Sequence, residues 1–366
     1  MKTLVSMYSG CGGSAKGFED AGFKVCYMND HNRDSIETLQ NLKKSGKHFK
    51  HAVIEHGSVR IDSKIKELWN QKGIDVIEAG FPCQGFSLAG PRKIDDSRND
   101  LYRYLKKAID ELNPKCFVAE NVKGFVSLGE SGSPLEETRW GLPLGSLAQA
   151  ILADLENAGR GYNIKAKILN AKDFGVPQNR ERIFIVGIRK DLKTEFNFPT
   201  PTHDSSSYVS LKKALKGIKW DKNDTFFDGT KTKDYFSARY MSRNRIRSLE
   251  DVSFTITADA GQVPADPTAG ISDMWNSTNS KFLEEKKKLK DSNWPAFVKK
   301  HVDKINPKLR RMSWKQCRTI QGFPNNYEII GNDVKSKYRQ IGNAVPPPLM
   351  EQVALQVKKS LSRVSN

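Results

Sequence analysis

The sequence predicts an α/β protein with a doubly wound, mostly parallel sheet and a second, smaller domain. A series of short apolar runs, each ending at Gly, Pro or a polar cluster, marks the strands at residues 4–8, 24–28, 75–79, 116–119 and 183–188. Amphipathic stretches typical of helices lie between these runs, at residues 33–42, 101–112 and 147–158. This alternation is the pattern of a sheet covered by helices on both faces. Because ligands bind beyond the carboxyl ends of the strands in such sheets, we expect the functional residues directly after each run.

The alternation stops near Lys190, and regular structure returns from Leu309. Turn-forming clusters at residues 203–208 and 258–269 lie between these two points, together with a Lys-rich stretch at residues 281–290 that a solvated helix face would also explain. Apolar residues at helical spacing predict a final helix over residues 349–361. We therefore predict one catalytic and cofactor-binding domain from residues 1–190 and 308–366, and a second domain from residues 191–307.

The charge of the chain favours a polyanionic partner. The 366 residues include 60 Lys and Arg against 42 Asp and Glu, a formal net charge of +18. Basic side chains that neutralise phosphates release counterions, and this release supplies most non-specific binding to nucleic acid. A ribosome-associated or membrane-surface protein would show the same total. The basic excess is larger after residue 190, so we expect the polyanion to lie there.

Cysteine usage indicates a reducing compartment. The chain has five cysteines, an odd number, and none forms a C-x-x-C pair. This argues against a disulfide framework and against a zinc knuckle. Since no apolar run approaches the length of a membrane span, we expect a soluble cytoplasmic protein without a metal centre.

A glycine-rich turn and a later carboxylate predict a cofactor that contains adenosine. The first run is followed by Tyr8-Ser9-Gly10-Cys11-Gly12-Gly13, in which glycines allow a tight turn and close approach of a ligand. Any tight strand-to-helix turn could show the same residues. The second run is followed by Asp30, which is placed to accept hydrogen bonds from ribose hydroxyls. At this point NAD and S-adenosylmethionine both remain open.

Two further run ends carry groups that could do chemistry. Residues 80–87 read Gly-Phe-Pro-Cys-Gln-Gly-Phe-Ser. A cysteine is usually a small buried hydrophobe, but Cys83 follows a proline at the ligand edge of the sheet, where a thiolate would be useful. The next run ends in Glu120-Asn121-Val122, a carboxylate that is either exposed at a strand tip or placed in a site.

These residues resemble the motifs of the cytosine-5 DNA methyltransferases of bacterial restriction–modification type. The resemblance covers about residues 1–190 and 309–350, in the family's order, and implies the Rossmann-like fold of enzymes that use S-adenosylmethionine. It rests on the glycine turn and on five further segments: residues 80–84, 120–122, 178–182 (Gln-Asn-Arg-Glu-Arg), 318–324 and 340–345. Residues 190–307 match no family pattern, as expected for a region that varies with the target sequence.

The resemblance implies a covalent mechanism. C5 of cytosine is a poor nucleophile until the Cys83 thiolate adds to C6. Glu120 would contact N3 and the exocyclic N4, where charge builds up. Arg182, with Arg180 nearby, would bind O2 or fix the thiolate loop, although an exposed basic hairpin strand would explain the same pair. The cytosine must be flipped out of the duplex to be reached.

The resemblance also assigns binding residues. The cofactor set is Tyr8, Ser9, Gly10, Gly12, Asp30, His31, Ser58, Val59, Pro82, Asn343 and Ala344. The DNA set is Gln84, Ser87, Lys93 and Arg98, the last two in a loop over residues 87–99, with Arg243 and Arg245 in the second domain. Three positions depart from the family pattern: His31 replaces an aromatic residue, Ser58 an acid and Gln316 a glutamate.

Three alternatives come from other classes of function. A tRNA methyltransferase of the same family would share the motifs, although those relatives have a different pattern after the nucleophile. An NAD-dependent oxidoreductase would use the glycine turn and Asp30 but leave Cys83 and Glu120 without a role. A catalytically silent DNA-binding homologue is disfavoured because both residues are intact. We expect a monomeric prokaryotic or phage enzyme that acts on double-stranded DNA, with a separately encoded restriction endonuclease as a possible partner and no membrane association.

Overall fold

The structure is a computed structural model of the 366-residue chain. It describes residues 1–57, 73–81, 101–129, 137–226, 238–270, 272–289, 296–297, 300–301 and 309–364. Within these ranges, none of the helices combines the length and the apolar character needed to cross a membrane.

Seven strands of the described chain form one sheet. They are β1 (Thr3–Met7), β2 (Lys24–Asp30), β3 (Val53–His56), β4 (Val76–Ala79), β5 (Cys116–Val122), β6 (Tyr162–Asn170) and β7 (Glu181–Arg189). The α-helices, numbered here in chain order, are α1 (Gly13–Asp20), α2 (Arg33–Lys44), α3 (Leu101–Leu112), α4 (Ser146–Glu156), α5 (Leu211–Ala214), α6 (Ala238–Met241), α7 (Ser272–Lys286), α8 (Trp314–Ile320), α9 (Val334–Asn343) and α10 (Pro347–Ser362).

The strand order is β3-β2-β1-β4-β5-β7-β6. All neighbours are parallel except β7, which is antiparallel to both β5 and β6. The order reverses between β1 and β4, the position where open α/β sheets open a crevice for ligands. The predicted doubly wound, mostly parallel sheet is therefore confirmed.

The central strands of the sheet are buried on both faces. Leu4, Val76 and Val118 pack into one core, whereas Val5 and Ile77, the next residues along their strands, pack into the other. Full burial explains why the central strands read as continuous apolar runs in the sequence.

Two strands were not predicted from the sequence. The edge strand β3 has four half-buried or exposed residues and therefore no apolar run. The other edge strand, β6, alternates buried Tyr162, Ile164 and Ala166 with exposed Asn163, Lys165 and Lys167. That period of two is typical of a strand with one solvent-exposed face, and the sequence alone could have predicted it.

The C-terminal segment packs against the helices of the sheet. Helix α10 packs against α1 so closely that a Cβ on Gly17 would lie 2.7 Å from the carbonyl oxygen of Pro347. Parts of the predicted second domain, such as Phe196, Leu211 and Ile256, belong to this same core. A separate small core contains residues from Tyr240 to Leu309. The proposed domain limits of 191 and 307 remain a prediction.

Candidate active site

A cavity of about 630 Å³ opens at the carboxyl ends of β1, β2, β4 and β5. Its size lies within the ordinary range for small-molecule sites. Most of the predicted cofactor residues line it: Tyr8, Ser9, Gly10, Asp30, His31, Asn343 and Ala344. Glu120, Arg180 and Arg182 line it as well. Residues that are far apart in the sequence therefore meet in one pocket.

One end of the pocket, which we call the base end, carries Glu120 and Arg182. Antiparallel pairing of β5 with β7 sets Arg182 opposite Val122, next to Glu120 on the ladder. The Arg182 Nε lies 3.0 Å from Oε1 of Glu120, and both side chains are largely buried, at 13% and 11% exposure. Burial raises the pKa of Glu120, although Arg182 and Arg180 both act to lower it. Desolvation therefore outweighs the nearby positive charges, and the carboxyl group is biased toward holding a proton.

The base end is tied to the segment that leads to the predicted nucleophile. The Asn121 side-chain amide donates a hydrogen bond of 3.3 Å to the carbonyl oxygen of Phe81, the last described residue before Pro82 and Cys83. A Cβ added at Gly80 would lie 3.5 Å from Oε2 of Glu120, so the backbone of this segment runs beside the carboxylate.

Arg180 occupies a different position from Arg182. Its side chain is 1% exposed, and its guanidinium donates to three backbone carbonyls: Ile256 at 3.0 Å, Gly342 at 2.7 Å and Ala344 at 3.0 Å. Burial and the neighbouring Arg182 lower its pKa. We interpret Arg180 as a positioning residue that joins β7 to the segment after α9, rather than as a group that contacts the base.

The opposite end of the pocket, which we call the nucleoside end, carries Asp30 at the tip of β2. Its Oδ2 accepts from the Gly10 amide at 2.7 Å, and its Oδ1 accepts from the Asn32 amide at 2.8 Å. Asn32 also caps α2, accepting from the Ser35 amide at 2.9 Å. His31 is 76% exposed at the pocket edge. Because each carboxylate oxygen has a second acceptor site, Asp30 retains capacity for a ligand hydroxyl.

The glycine turn adopts the conformation that its sequence predicts. Gly10 and Gly12 have φ values of 52° and 87°, in the left-handed region that favours glycine. Gly12, however, does not line the pocket; a Cβ there would lie 2.8 Å from both the Tyr327 hydroxyl and Leu39. Gly12 therefore packs behind the turn, and its place in the cofactor set remains a prediction.

The C-terminal segment closes the pocket over the glycine turn. A Cβ on Gly13 would lie 2.3 Å from the Val345 carbonyl oxygen, and one on Gly342 would lie 2.3 Å from the Thr257 carbonyl. Only glycine permits these approaches. Asn343 is exposed at the pocket wall and Ala344 is buried there.

Several predicted residues lie outside the described residues. They are Ser58 and Val59 of the cofactor set, the nucleophile Cys83 with Pro82 beside it, and Gln84, Ser87, Lys93 and Arg98 of the DNA set. Their assignments remain predictions.

The two predicted DNA-binding residues of the second domain differ in exposure. Arg243 is exposed, as phosphate contact requires. Arg245 is 9% exposed, and its guanidinium donates to the Tyr240 and Gln262 carbonyls at 3.0 and 2.7 Å and also contacts the Gln262 side chain. These internal contacts favour a structural role for Arg245 and give its DNA-binding assignment no support.

Sequence reasoning missed Glu78 and Arg339, which also line the pocket. Arg339 gave no signal, because it lies on the exposed side of α9 among other polar residues. Glu78 could have been found from the sequence, because it is a carboxylate inside the four-residue strand β4, whose residues are all buried. A charged residue is rarely buried without a function or a partner.

Comparison with known proteins gives one consistent result. A family model described as C-5 cytosine-specific DNA methylase matches residues 2–359. The chain is 32% identical to the type II methyltransferase M.NgoPII of Neisseria gonorrhoeae, over 98% of this chain and 96% of that protein. It is 34% identical to the type II methyltransferase M.MthTI of Methanothermobacter thermautotrophicus, over 99% of both. Among solved structures, the Entamoeba histolytica methyltransferase EhMeth matches with a TM-score of 0.64 at 17% identity, over 99% of both chains, and so shares the fold.

Proposed function

The chain belongs to the C-5 cytosine-specific DNA methylase family and is a DNA (cytosine-5-)-methyltransferase of restriction–modification type; on this premise we propose how its residues divide the reaction. Cys83 is the nucleophile, Glu120 and Arg182 hold the flipped cytosine, and the nucleoside end holds the methyl donor. The single observation that carries the proposal is the buried Glu120–Arg182 pair beside the backbone that leads to Cys83.

The residues at the nucleoside end fit S-adenosylmethionine. Asp30 keeps acceptor capacity for ribose hydroxyls. The Oδ1 atom of buried Asn29, next to Asp30, has no hydrogen-bond partner among the described residues. When bound, the cofactor supplies an electrophilic methyl group on a sulfonium. Asn343 and the backbone at Ala344 and Val345 form the wall opposite the glycine turn.

The base end fits a cytosine ring. The Watson–Crick edge of cytosine presents N3 as an acceptor, the exocyclic N4 as a donor and O2 as an acceptor. The raised pKa of Glu120 suits a carboxyl group that donates toward N3 as the Cys83 thiolate adds to C6. Arg182 orients this carboxyl group and can reach O2. C5 would then accept the methyl group as the methyl–sulfur bond breaks, with S-adenosylhomocysteine as the leaving group, and loss of the C5 proton would be coupled to elimination of the Cys83 sulfur.

The partner DNA must present the cytosine outside the helix, because the ring is inaccessible within the stack. We propose that residues 191–307 include the elements that read base edges in the major groove, with exposed Arg243 among the phosphate contacts. The loop over residues 87–99, with Lys93 and Arg98, would cover the flipped base. We further propose a monomeric cytoplasmic enzyme that protects DNA from a separately encoded cognate endonuclease.

Covalent trapping tests the assignment of Cys83. Double-stranded DNA that contains 5-fluorocytosine should form a stable complex with the unmodified enzyme, because fluorine at C5 blocks the final elimination. Cys83→Ala should form none, while binding of S-adenosylmethionine persists. Cys26→Ala, on β2 and away from the pocket lining, is the matched control and should trap normally. Trapping by Cys83→Ala would overturn the assignment.

A further inference from the structure

The buried carboxylate of Glu78 lies on the pocket floor between the two ends. In the sheet order, β2 carries Asp30, β5 carries Glu120, and β1 and β4 lie between them. Neighbouring strands are about 4.8 Å apart, so β4 is one spacing from Glu120 and two from Asp30. Glu78 pairs with Ser6 on one side and Val118 on the other. Since alternate residues share a face, Glu78 and Glu120 project from the same face of adjacent strands.

Glu78 has hydrogen-bond donors but no cation. It is 2% exposed, and its Oε2 accepts from the Ser6 hydroxyl at 2.8 Å. The Ser14 hydroxyl, in the first turn of α1, also bonds to the carboxylate. No Lys or Arg of the described chain forms an ion pair with it. A buried charge without a partner is costly, and such groups concentrate where a ligand completes the site.

The hydroxyl network joins Glu78 to the cofactor turn. The Ser9 hydroxyl bonds to the Ser6 carbonyl at 2.9 Å and lies 3.0 Å from the Ser6 hydroxyl. The Asn29 amide donates to the Ser9 hydroxyl at 3.2 Å. The carboxylate is therefore held at a fixed position relative to both the glycine turn and the tip of β2.

The reaction requires the positive sulfur to lie close to this position. The ribose lies at the nucleoside end, the cytosine lies against Glu120, and the methyl group must pass from the sulfur to the ring. The sulfonium is therefore placed between the two ends, over the strands that separate Asp30 from Glu120. We propose that Glu78 recognises the sulfonium charge of S-adenosylmethionine and so distinguishes the methyl donor from its neutral-sulfur product, S-adenosylhomocysteine.

The loss of positive charge from the sulfur during the reaction explains why it is useful to distinguish the methyl donor from the product. The reaction removes the positive charge from the sulfur, so the favourable contact with Glu78 exists before transfer and is lost after it. A carboxylate at this position therefore favours binding of the donor and release of the product. This inference rests on the proposed function, because it assumes that the pocket holds S-adenosylmethionine.

Calorimetric binding to the full chain tests the inference without measuring activity. Glu78→Gln keeps the shape and should weaken S-adenosylmethionine binding about tenfold while changing S-adenosylhomocysteine binding less than about twofold. Binding of an analogue that carries an ammonium in place of the sulfonium should be weakened by Glu78→Gln as much as binding of S-adenosylmethionine. Glu55→Gln is the matched control, because Glu55 lies in the same sheet on β3, bonds to the Tyr27 hydroxyl at 2.8 Å and does not line the pocket.

The outcomes separate this inference from the proposed function. Equal weakening of both ligands by Glu78→Gln would assign Glu78 to the shared α-ammonium and overturn the inference, as would no weakening of either. Failure of the unmodified protein to bind either ligand would instead overturn the cofactor assignment, and the inference with it.

A pH series on the unmodified protein gives a second test that needs no variant. Burial, partly offset by Ser6 and Ser14, raises the pKa of Glu78 to about 7, and Glu120 on β5 adds to the increase. The other charged groups that line the pocket are Asp30 and His31 at the nucleoside end, Arg180 just before β7, Arg182 on β7, and Arg339 on α9.

Because the sulfonium favours ionised Glu78, donor affinity should rise with pH. The ratio of donor to product affinity should increase about fivefold from pH 6 to pH 7 and then level off near pH 8. Any titration that changes the affinity for both ligands by the same factor cancels in this ratio. It should be flat in Glu78→Gln; a flat ratio in the unmodified protein would contradict the inference.

Discussion

At the base end of the pocket the functional groups are side chains on two paired strands, whereas at the nucleoside end they come from turns and segments far apart in the chain. Glu120 and Arg182 are fixed by the continuous ladder between β5 and β7. At the other end, Asp30 binds the Gly10 amide, while the Val345 carbonyl packs against Gly13. The first arrangement suits a precise chemical role, because strand pairing fixes both groups. The second suits binding of a ligand by many weak contacts.

Arg180 connects the two regions. It lies just before β7, two residues before Arg182, and it donates to the Gly342 and Ala344 carbonyls at the wall of the nucleoside end. The comparison therefore predicts that substitutions at the base end change rates, that substitutions at the nucleoside end change cofactor affinity, and that Arg180 affects the integrity of both.

The largest effect should come from Glu120→Gln. Gln keeps the size of the side chain but cannot transfer a proton toward N3, so the rate of the chemical step should fall about a thousandfold. DNA and cofactor affinities should change only a few-fold. Single-turnover kinetics with both ligands saturating would measure this. A loss confined to DNA affinity, with the rate intact, would mean that Glu120 is a binding group.

Arg180→Gln should lower the free energy of unfolding by about 3 kcal/mol, because three buried carbonyls lose their charged donor. Arg182→Gln is the matched comparison two residues away. It should reduce the rate of methyl transfer and lower the free energy of unfolding less than Arg180→Gln does, because Arg182 has one carboxyl partner, and burial already biases Glu120 toward taking up a proton. Urea unfolding of the two variants provides the measurement. Equal destabilisation by both would show that the two arginines share one role.

Glu78→Gln should stabilise the enzyme without ligands at alkaline pH. The pKa of Glu78 is about 7 in the folded protein against 4.5 for an ordinary Glu, so the folded state binds the proton more tightly. The stability that Glu78 contributes when protonated is thus present below pH 4.5 and lost as pH rises through 7. Above that pH the variant should be about 3 kcal/mol more stable than the unmodified chain.

Thermal unfolding at pH 5 and pH 8 would show whether this difference exists. At pH 5 the two proteins should unfold at nearly the same temperature. A variant that is less stable at pH 8 would indicate that the hydrogen bonds of Glu78 matter more than its buried charge.

Asp30→Ala should weaken S-adenosylmethionine binding about tenfold, because the ribose hydroxyls lose an acceptor and the Gly10 amide loses its partner. The rate of the chemical step at saturating cofactor should change little. His31→Ala should have a smaller effect, since His31 is mostly exposed. Calorimetry showing unchanged affinity for Asp30→Ala would place the ribose elsewhere.

The sequence predicted the parts of the site that depend on local pattern. The central strands were readable because burial on both faces makes them apolar. The glycine turn follows the end of β1, Asp30 is the last residue of β2, and Glu120 lies among the last three residues of β5. The amphipathic pattern predicted a helix over residues 101–112, and all of these residues are helical in α3.

The features that the sequence did not reveal depend on pairing between distant segments. Antiparallel register places Arg182 near Glu120, whereas Arg180, just before β7, donates to the Gly342 carbonyl. The two arginines have similar neighbours in the chain, and nothing local distinguishes their roles. Gln316 is a similar case: it completes a capping box with Ser313 and donates to buried Asp266 at 2.9 Å, a contact between distant residues.

Transfer of a labelled methyl group tests the central claim most directly. The enzyme would be incubated with methyl-labelled S-adenosylmethionine and either double-stranded genomic DNA or total tRNA, and the nucleosides would then be separated. The account predicts label in 5-methylcytosine of double-stranded DNA, within one short recurring sequence, and none with Cys83→Ala. Label in tRNA alone, or on a nitrogen of any DNA base, would contradict it.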